Sequence, residues 1–342
     1  MRRQSSPDFL SLRGLSRRHC LRLGAALWAT ALGTSACHKT PHSLLRIGAH
    51  PWLGYELMAL AREMGFLRSD QLRLVDMPTA NASLRALAAG TLEGAGLTLD
   101  EVLSARARGL MLRVVAVVDV SHGADVLLGA PGLDKLADIR GRKVGVEQSA
   151  TGALMLDAAL ARAGLSPDDV KLVNVPFDEH AQALRSGSVD AVVTFDPVRS
   201  QLLADGAKTL FSSAEVPGLI VDVLAVRPEA AQQHPEQLRM LVSGLLAARA
   251  AFLQDGAKAA ELIAPRLGIP PEAVSRAFEL LHLPDLPTNR RMLEGQMPEL
   301  ETTAQRLLSV MKGAALLPAA AKPLAGTGPH DALTAPQFLP KA

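Results

Sequence analysis

Between residues 44 and 312, short apolar runs alternate with stretches whose apolar positions recur every three or four residues, so strands and amphipathic helices take turns along the chain. Residues 44–49 predict a first strand. A helix follows with Leu57, Leu60, Ala61 and Met64 on one face, and Gly65 stops it. Residues 72–75 read as a strand, 81–89 as a helix closed by Gly90, 93–98 as a strand and 100–108 as a helix. The Val-rich run 112–118 has the unbroken apolar character of a strand buried on both faces, and 126–129 adds another. The alternation restarts at Asp138: strands are expected at 139–146, 170–175 and 191–195, with helices at 151–163 and 181–185. One more strand, 219–226, precedes helical patterns over 235–254, 257–267, 271–281 and 289–311.

Strands alternating with helices imply an α/β protein with open, largely parallel sheets, and the restart at Asp138 implies two similar lobes. In such sheets ligands bind beyond the carboxyl ends of the strands. The loops to watch are therefore 50–56, 98–101, 119–125, 147–152 and 195–199. From residue 313 on, the chain is rich in Ala, Pro and Gly without periodicity and is expected to be a disordered tail.

The first 37 residues have a different pattern. Arg2, Arg3, Arg13, Arg17, Arg18 and Arg22 make a basic start, residues 23–32 are uncharged and largely apolar, and small residues then lead to Cys37. That order is a signal peptide's, and its apolar run is shorter than the roughly 20 residues a spanning helix needs. Ser16-Arg17-Arg18-His19-Cys20-Leu21-Arg22 resembles a twin-arginine export motif, with Cys20 where Phe is usual. Thr34-Ser35-Ala36-Cys37 resembles a lipobox, with Thr34 where Leu is usual; the plainer reading is ordinary cleavage that leaves Cys37 a free thiol. Cys20 and Cys37 are the only cysteines, so the mature chain has no internal disulfide available. Lipidation at Cys37 would hold the protein at a bacterial membrane in the periplasm.

Composition narrows the function classes. A net charge of +2, without a Lys/Arg run or an RNA-type aromatic motif, gives no reason to expect nucleic acid. There is no Gly-x-Ser-x-Gly elbow or Walker loop. The nine histidines are scattered without a His-x-x-x-His pair, so no catalytic centre, metal or cofactor is expected.

Four segments carry a family resemblance. Trp52-Leu53-Gly54-Tyr55-Glu56 with Leu60-Ala61-Arg62-Glu63-Met64-Gly65-Phe66 is similar to the opening of NitT/TauT-type solute-binding proteins of ABC importers. Ser121-His122-Gly123-Ala124-Asp125, Leu136-Ala137-Asp138-Ile139-Arg140-Gly141-Arg142-Lys143-Val144 and residues 183–197 resemble later segments of that family, in the same order. The resemblance implies a two-lobed type II periplasmic-binding-protein fold with C-terminal helices. One lobe would join residues 38–130 to 223–312, and the other would span 131–222. A small solute would be trapped as the lobes close, then handed to permease and ATPase subunits by a monomeric receptor.

The candidate ligand contacts each have a plainer reading. Trp52 and Tyr55, the only such residues of the mature chain, can cover a ligand or simply pack at the surface. Glu56 can favour a helix start. Ser149, Ala150 and Thr151 open a helix, where the same free N–H groups serve an N-cap or an anionic ligand group. Asp196 is either a turn residue or a ligand acid. Ser121 and His122 fall in the family segment, His122 with a surface alternative; Asp119, Asp125 and Asp222 fall near the expected hinge, where they orient a cation or fix backbone. These loops hold many acids and almost no Lys or Arg, so the solute is expected to be zwitterionic or cationic, with any acidic end at 149–151. A sensory module for a receptor kinase and a pyrimidine-precursor enzyme of the same fold stay open as alternatives.

Overall fold

The structure, a computed structural model, describes residues 44–147, 150–318, 324 and 332–341. The expected leader, Cys37 and Ser149 lie outside the described residues. The chain runs through β1 (Leu45–Ala49), α1 (Leu53–Glu63), β2 (Leu72–Asp76), α2 (Ala80–Ala88), β3 (Gly94–Thr98), α3 (Leu99–Ala107) and β4 (Arg113–Ser121). It continues with β5 (Val126–Gly129), β6 (Lys143–Val146), α4 (Ala150–Ala163), β7 (Lys171–Asn174), α5 (His180–Arg185), β8 (Ala191–Thr194), α6 (Val198–Ala204) and β9 (Lys208–Ser212). After β10 (Val221–Val226) come α7 (Pro228–Gln233), α8 (Pro235–Gln254), α9 (Gly256–Leu267), α10 (Pro271–Phe278), β11 (Leu281–His282), α11 (Leu286–Leu293) and α12 (Glu299–Gly313). Among the described residues, no helix is long and apolar enough to cross a membrane.

Two sheets form, one in the order β11-β4-β10-β3-β1-β2 and the other β7-β6-β8-β5-β9. They are mixed, which corrects the expectation of largely parallel sheets. Only β1–β2, β1–β3, β6–β7 and β6–β8 pair in parallel; β10 runs against β3 and β4, and β5 against β8 and β9. The reason is the short crossover. β4 leaves the first sheet at its carboxyl end and β5 starts a few residues later in the second, with no helix to turn the chain round, so β5 runs opposite to its helix-connected neighbours. β10 re-enters the first sheet in the same way.

This topology also moves the expected lobe boundaries. The strand Val126–Gly129 pairs in the second sheet and Asp222 in the first, so the crossovers are residues 122–125 and 213–220 rather than 130 and 222. The tail is corrected in part. Residues 332–341 dock on the first sheet: Val114 N–H donates to Leu333 O at 2.7 Å, Ala335 N–H to Val114 O at 2.8 Å, and Phe338 is buried. The helix expected over 289–311 is two helices, because Gly295, at φ +98°, and Pro298 break it. β9 and α6 are elements the apolar pattern did not announce.

The core sits where the pattern placed it. Val114, Val115, Ala116, Val117 and Val118 of β4 are all buried, as is every residue of β10, so these two strands form the centre of the first sheet.

Candidate functional site

The strand register sets the site. Asp222, at the start of β10, lies opposite Thr98 at the end of β3 and opposite Asp119 near the end of β4. Three polar side chains are thereby carried on adjacent strands at one level, on the edge of the first sheet that faces the second. A cavity opens there with about 550 Å³ of unfilled space, solvent at its mouth included. From the first sheet it is lined by His50, Trp52, Ala80, Thr98, Glu101 and Asp222; from the second by Glu147, Thr151, Gly152, Met155, His180, Val193 and Phe195; and from the first crossover by Asp125.

Both sheets contribute aromatic and acidic residues to the walls. Trp52 meets Phe195 edge-on at 5.3 Å, and His50 meets Tyr55 edge-on at 5.1 Å. Trp52 Nε1 donates to Asp119 Oδ2 at 3.0 Å, and the Tyr55 hydroxyl donates to Asp222 Oδ1 at 2.6 Å. Two glycines make these contacts possible. A Cβ on Gly54 would sit 1.7 Å from Asp119 Oδ2, and one on Gly96 would sit 2.7 Å from the Tyr55 ring.

Asp100, Glu101, Asp119, Asp125 and Asp222 are all buried. One oxygen each of Asp100, Asp119, Asp125 and Asp222 has no hydrogen-bond partner. Burial pushes Asp125 up to about 7 and Asp119 up to about 7. Burial, then the charges of Asp119 and Asp125, pushes Asp222 well above the usual carboxylate range. Burial, then Asp100, pushes Glu101 up to about 8; Asp100 itself rises to about 6 because burial outweighs its hydrogen bonds to Thr98 and Thr151. Burial holds His50 and His180 down at about 4, so both rings are neutral at pH 7. Asp119 and Asp222 stand directly opposite each other across the ladder.

Hydrogen bonds also cross from one sheet's elements to the other's. Asn81 Nδ2 donates to Glu147 Oε1 at 2.9 Å. The Thr151 hydroxyl donates to Asp100 Oδ2 at 3.0 Å and lies 2.7 Å from the Thr98 hydroxyl.

The structure brings some of the expected contacts together and separates others. Trp52, Thr151 and Asp222 line the cavity; Tyr55 and Asp119 stand behind them as hydrogen-bond partners. Ala150 opens α4 as expected. Glu56 is elsewhere, because Arg266 Nε reaches its carboxylate at 2.6 Å. Asp196 is not among the residues that line the cavity: it accepts the Ser200 N–H at 2.9 Å and pairs with Arg199 at 3.3 Å. Ser121 ties the crossovers together, its hydroxyl 2.7 Å from that of Ser213. His122 is exposed and stacks on His282 at 4.8 Å.

His50, Glu101, Glu147, Phe195 and His180 line the cavity without having been singled out. The first four fall in the loops after strands, so position pointed to them even though chemistry did not. His180 sits on α5 and carried no sequence signal.

Two mixed sheets joined by paired crossovers, with a polar cleft between the strand ends, define the periplasmic-binding-protein fold. The chain belongs to the NMT1-like family, whose model matches residues 38–266. A putative aliphatic sulfonates-binding protein of Escherichia coli (strain K12) is 26% identical over 297 residues, 83% of this chain and 89% of that protein. The taurine-binding periplasmic protein of the same organism is 25% identical over 175 residues, 50% of this chain; the match spans 54%, about half, of that relative. The alkanesulfonate-binding protein SsuA from Xanthomonas axonopodis pv. citri, bound to MOPS, superimposes with a TM-score of 0.70 at 21% identity, covering 82% of this chain and 96% of that one.

Proposed function

We propose that this protein is the extracytoplasmic solute receptor of an ABC importer. It captures one small zwitterionic or cationic organic solute between its two sheets and delivers it to a membrane permease. The observation that carries this reading is the cleft itself: its acids converge from both sheets and a crossover, and among the described residues no Lys or Arg lines it. The names of its relatives, which describe periplasmic binding of taurine and aliphatic sulfonates, support a receptor rather than an enzyme. Capture needs no chemistry. The crossovers at 122–125 and 213–220 act as the hinge, and closure repeats the Asn81–Glu147 and Thr98–Thr151 contacts around the solute.

The leader fits the same role. Export, by the twin-arginine route, and acylation of Cys37 would keep a monomeric receptor beside its permease. A thermal-shift screen of amines, amino acids, sulfonates and pyrimidines, followed by calorimetry, tests the reading, since a solute that binds only the folded state raises its apparent stability. At least one saturable ligand of 1:1 stoichiometry is expected. Turnover of a bound compound, or a mature protein found in the cytoplasm, would favour an enzyme instead.

A further inference from the structure

The receptor reading leaves open which end of a solute the cleft recognises. Two features of the site bear on it. Asp125 and Asp222 both line the cavity, are only 4% and 2% exposed, and each keeps an oxygen with no partner. An unpartnered buried carboxyl oxygen is an acceptor waiting for a donor. The neighbours that face these two acids add no positive charge: they are Tyr55, Asp119, Glu101, Asp100 and the neutral His50.

The second feature is at α4. The first turn of a helix attracts anions, and it is where a sulfonate or carboxylate would dock. Here the chain's own Asp100 carboxylate accepts the hydroxyl hydrogen of Thr151 in that turn, with Thr98 bonded to the same hydroxyl. An internal acid therefore already stands beside that turn. A second anion brought there would meet Asp100 and Glu147, with no balancing Lys or Arg among the described residues that line the cavity.

Resting on the receptor reading, we propose that the cleft binds an organic cation bearing N–H donors, an ammonium or amidinium, seated on Asp125 and Asp222, and that it disfavours sulfonates because Asp100 and Glu147 stand beside the first turn of α4 and, among the described residues, no Lys or Arg lines the cavity. Seating a cation there ionises one of the buried carboxyls, whose proton leaves to solvent. Trp52 and Phe195 receive the apolar part of the solute.

Three small compounds separate the two ends: ethylamine, taurine, which is ethylamine carrying a sulfonate, and ethanesulfonate, which lacks the amine. Calorimetry at pH 7.5, with benzylamine as a larger amine, should show saturable binding of benzylamine. Ethylamine should bind at least tenfold more tightly than taurine, and ethanesulfonate should not bind. Measured in two buffers of different ionisation enthalpy, benzylamine binding should release a proton. Asp222→Asn should weaken benzylamine at least tenfold while its melting temperature is held or raised. Taurine or ethanesulfonate binding more tightly than ethylamine would overturn the proposal and keep the receptor reading. Benzylamine binding that is unchanged in folded Asp222→Asn would also overturn it. If no amine binds, the cation proposal falls, and the wider solute screen decides the receptor reading separately.

Discussion

Tyr55 and Glu56 are neighbours on α1, and they lead to two different treatments of a buried acid. On one side Glu56, only 4% exposed, is met by the Arg266 guanidinium from α9, which also holds Asp76 at 2.7 Å. On the other side Tyr55 donates to Asp222, which is 2% exposed and has Asp119 and Asp125 nearby but no guanidinium. Asp196, paired with Arg199, repeats the first arrangement inside the second sheet's half. A buried acid with its own cation holds structure together, and removing the cation would leave an uncompensated charge. A buried acid without one is costly to keep ionised, so it stays protonated until something brings the missing charge. The cleft acids are of the second kind, and that difference separates the candidate site from the scaffold.

Breaking the comparison from the cleft side should give the largest effects. Trp52→Ala removes an aromatic wall and the Nε1–H that holds Asp119; affinity for the captured solute is expected to fall by about 10- to 100-fold by calorimetry. Gly54→Ala forces Asp119 away from its place and should weaken binding by roughly tenfold, while Gly313→Ala, at a glycine with open space around it, leaves affinity unchanged.

Breaking it from the scaffold side should move stability instead. Arg266→Ala strands Glu56 and is expected to cost about 2 kcal/mol in urea unfolding, with affinity unchanged, because Arg266 is far enough into solvent to soften the loss. Asp196→Ala removes the acceptor for the Ser200 N–H at the start of α6; about 1 kcal/mol is expected, again without loss of affinity.

The smallest effect is on the pH dependence of the ligand-free protein. Asp125 ionises at about 7 when folded, against an ordinary aspartate value of 3.8. Between those values the folded state holds more protons than the unfolded one, so the contribution is full at low pH and is lost as pH rises through about 7. The melting temperature should therefore drop by about 3 °C or more from pH 5 to pH 8, and Asp125→Asn should flatten that slope.

Much of this was legible in the chain. The apolar periods placed β1 to β4 and their helices because those elements bury one face or both, and each of the five loops picked by the rule that ligands sit beyond strand ends contributes to the cavity lining. The register of β10 was not legible. Asp222 meets Asp119 and Thr98 only because β10 returns antiparallel after a crossover, and a pairing set over 100 residues of separation leaves no local signal. The fates of Glu56 and Asp196 were hidden for a related reason: their partners, Arg266 and Arg199, are chosen by helix packing and by a single helical turn. The closing strap at 332–341 carries few periodic residues, so its docking on β4 depends on backbone hydrogen bonds that composition does not show.

The most direct measurement is a crystal structure of the protein with benzylamine. The expected result is an ammonium nitrogen within about 2.7–3.0 Å of carboxyl oxygens of both Asp125 and Asp222, its ring against Trp52 and Phe195. An amine bound elsewhere, with those oxygens still lacking a partner, would contradict the account.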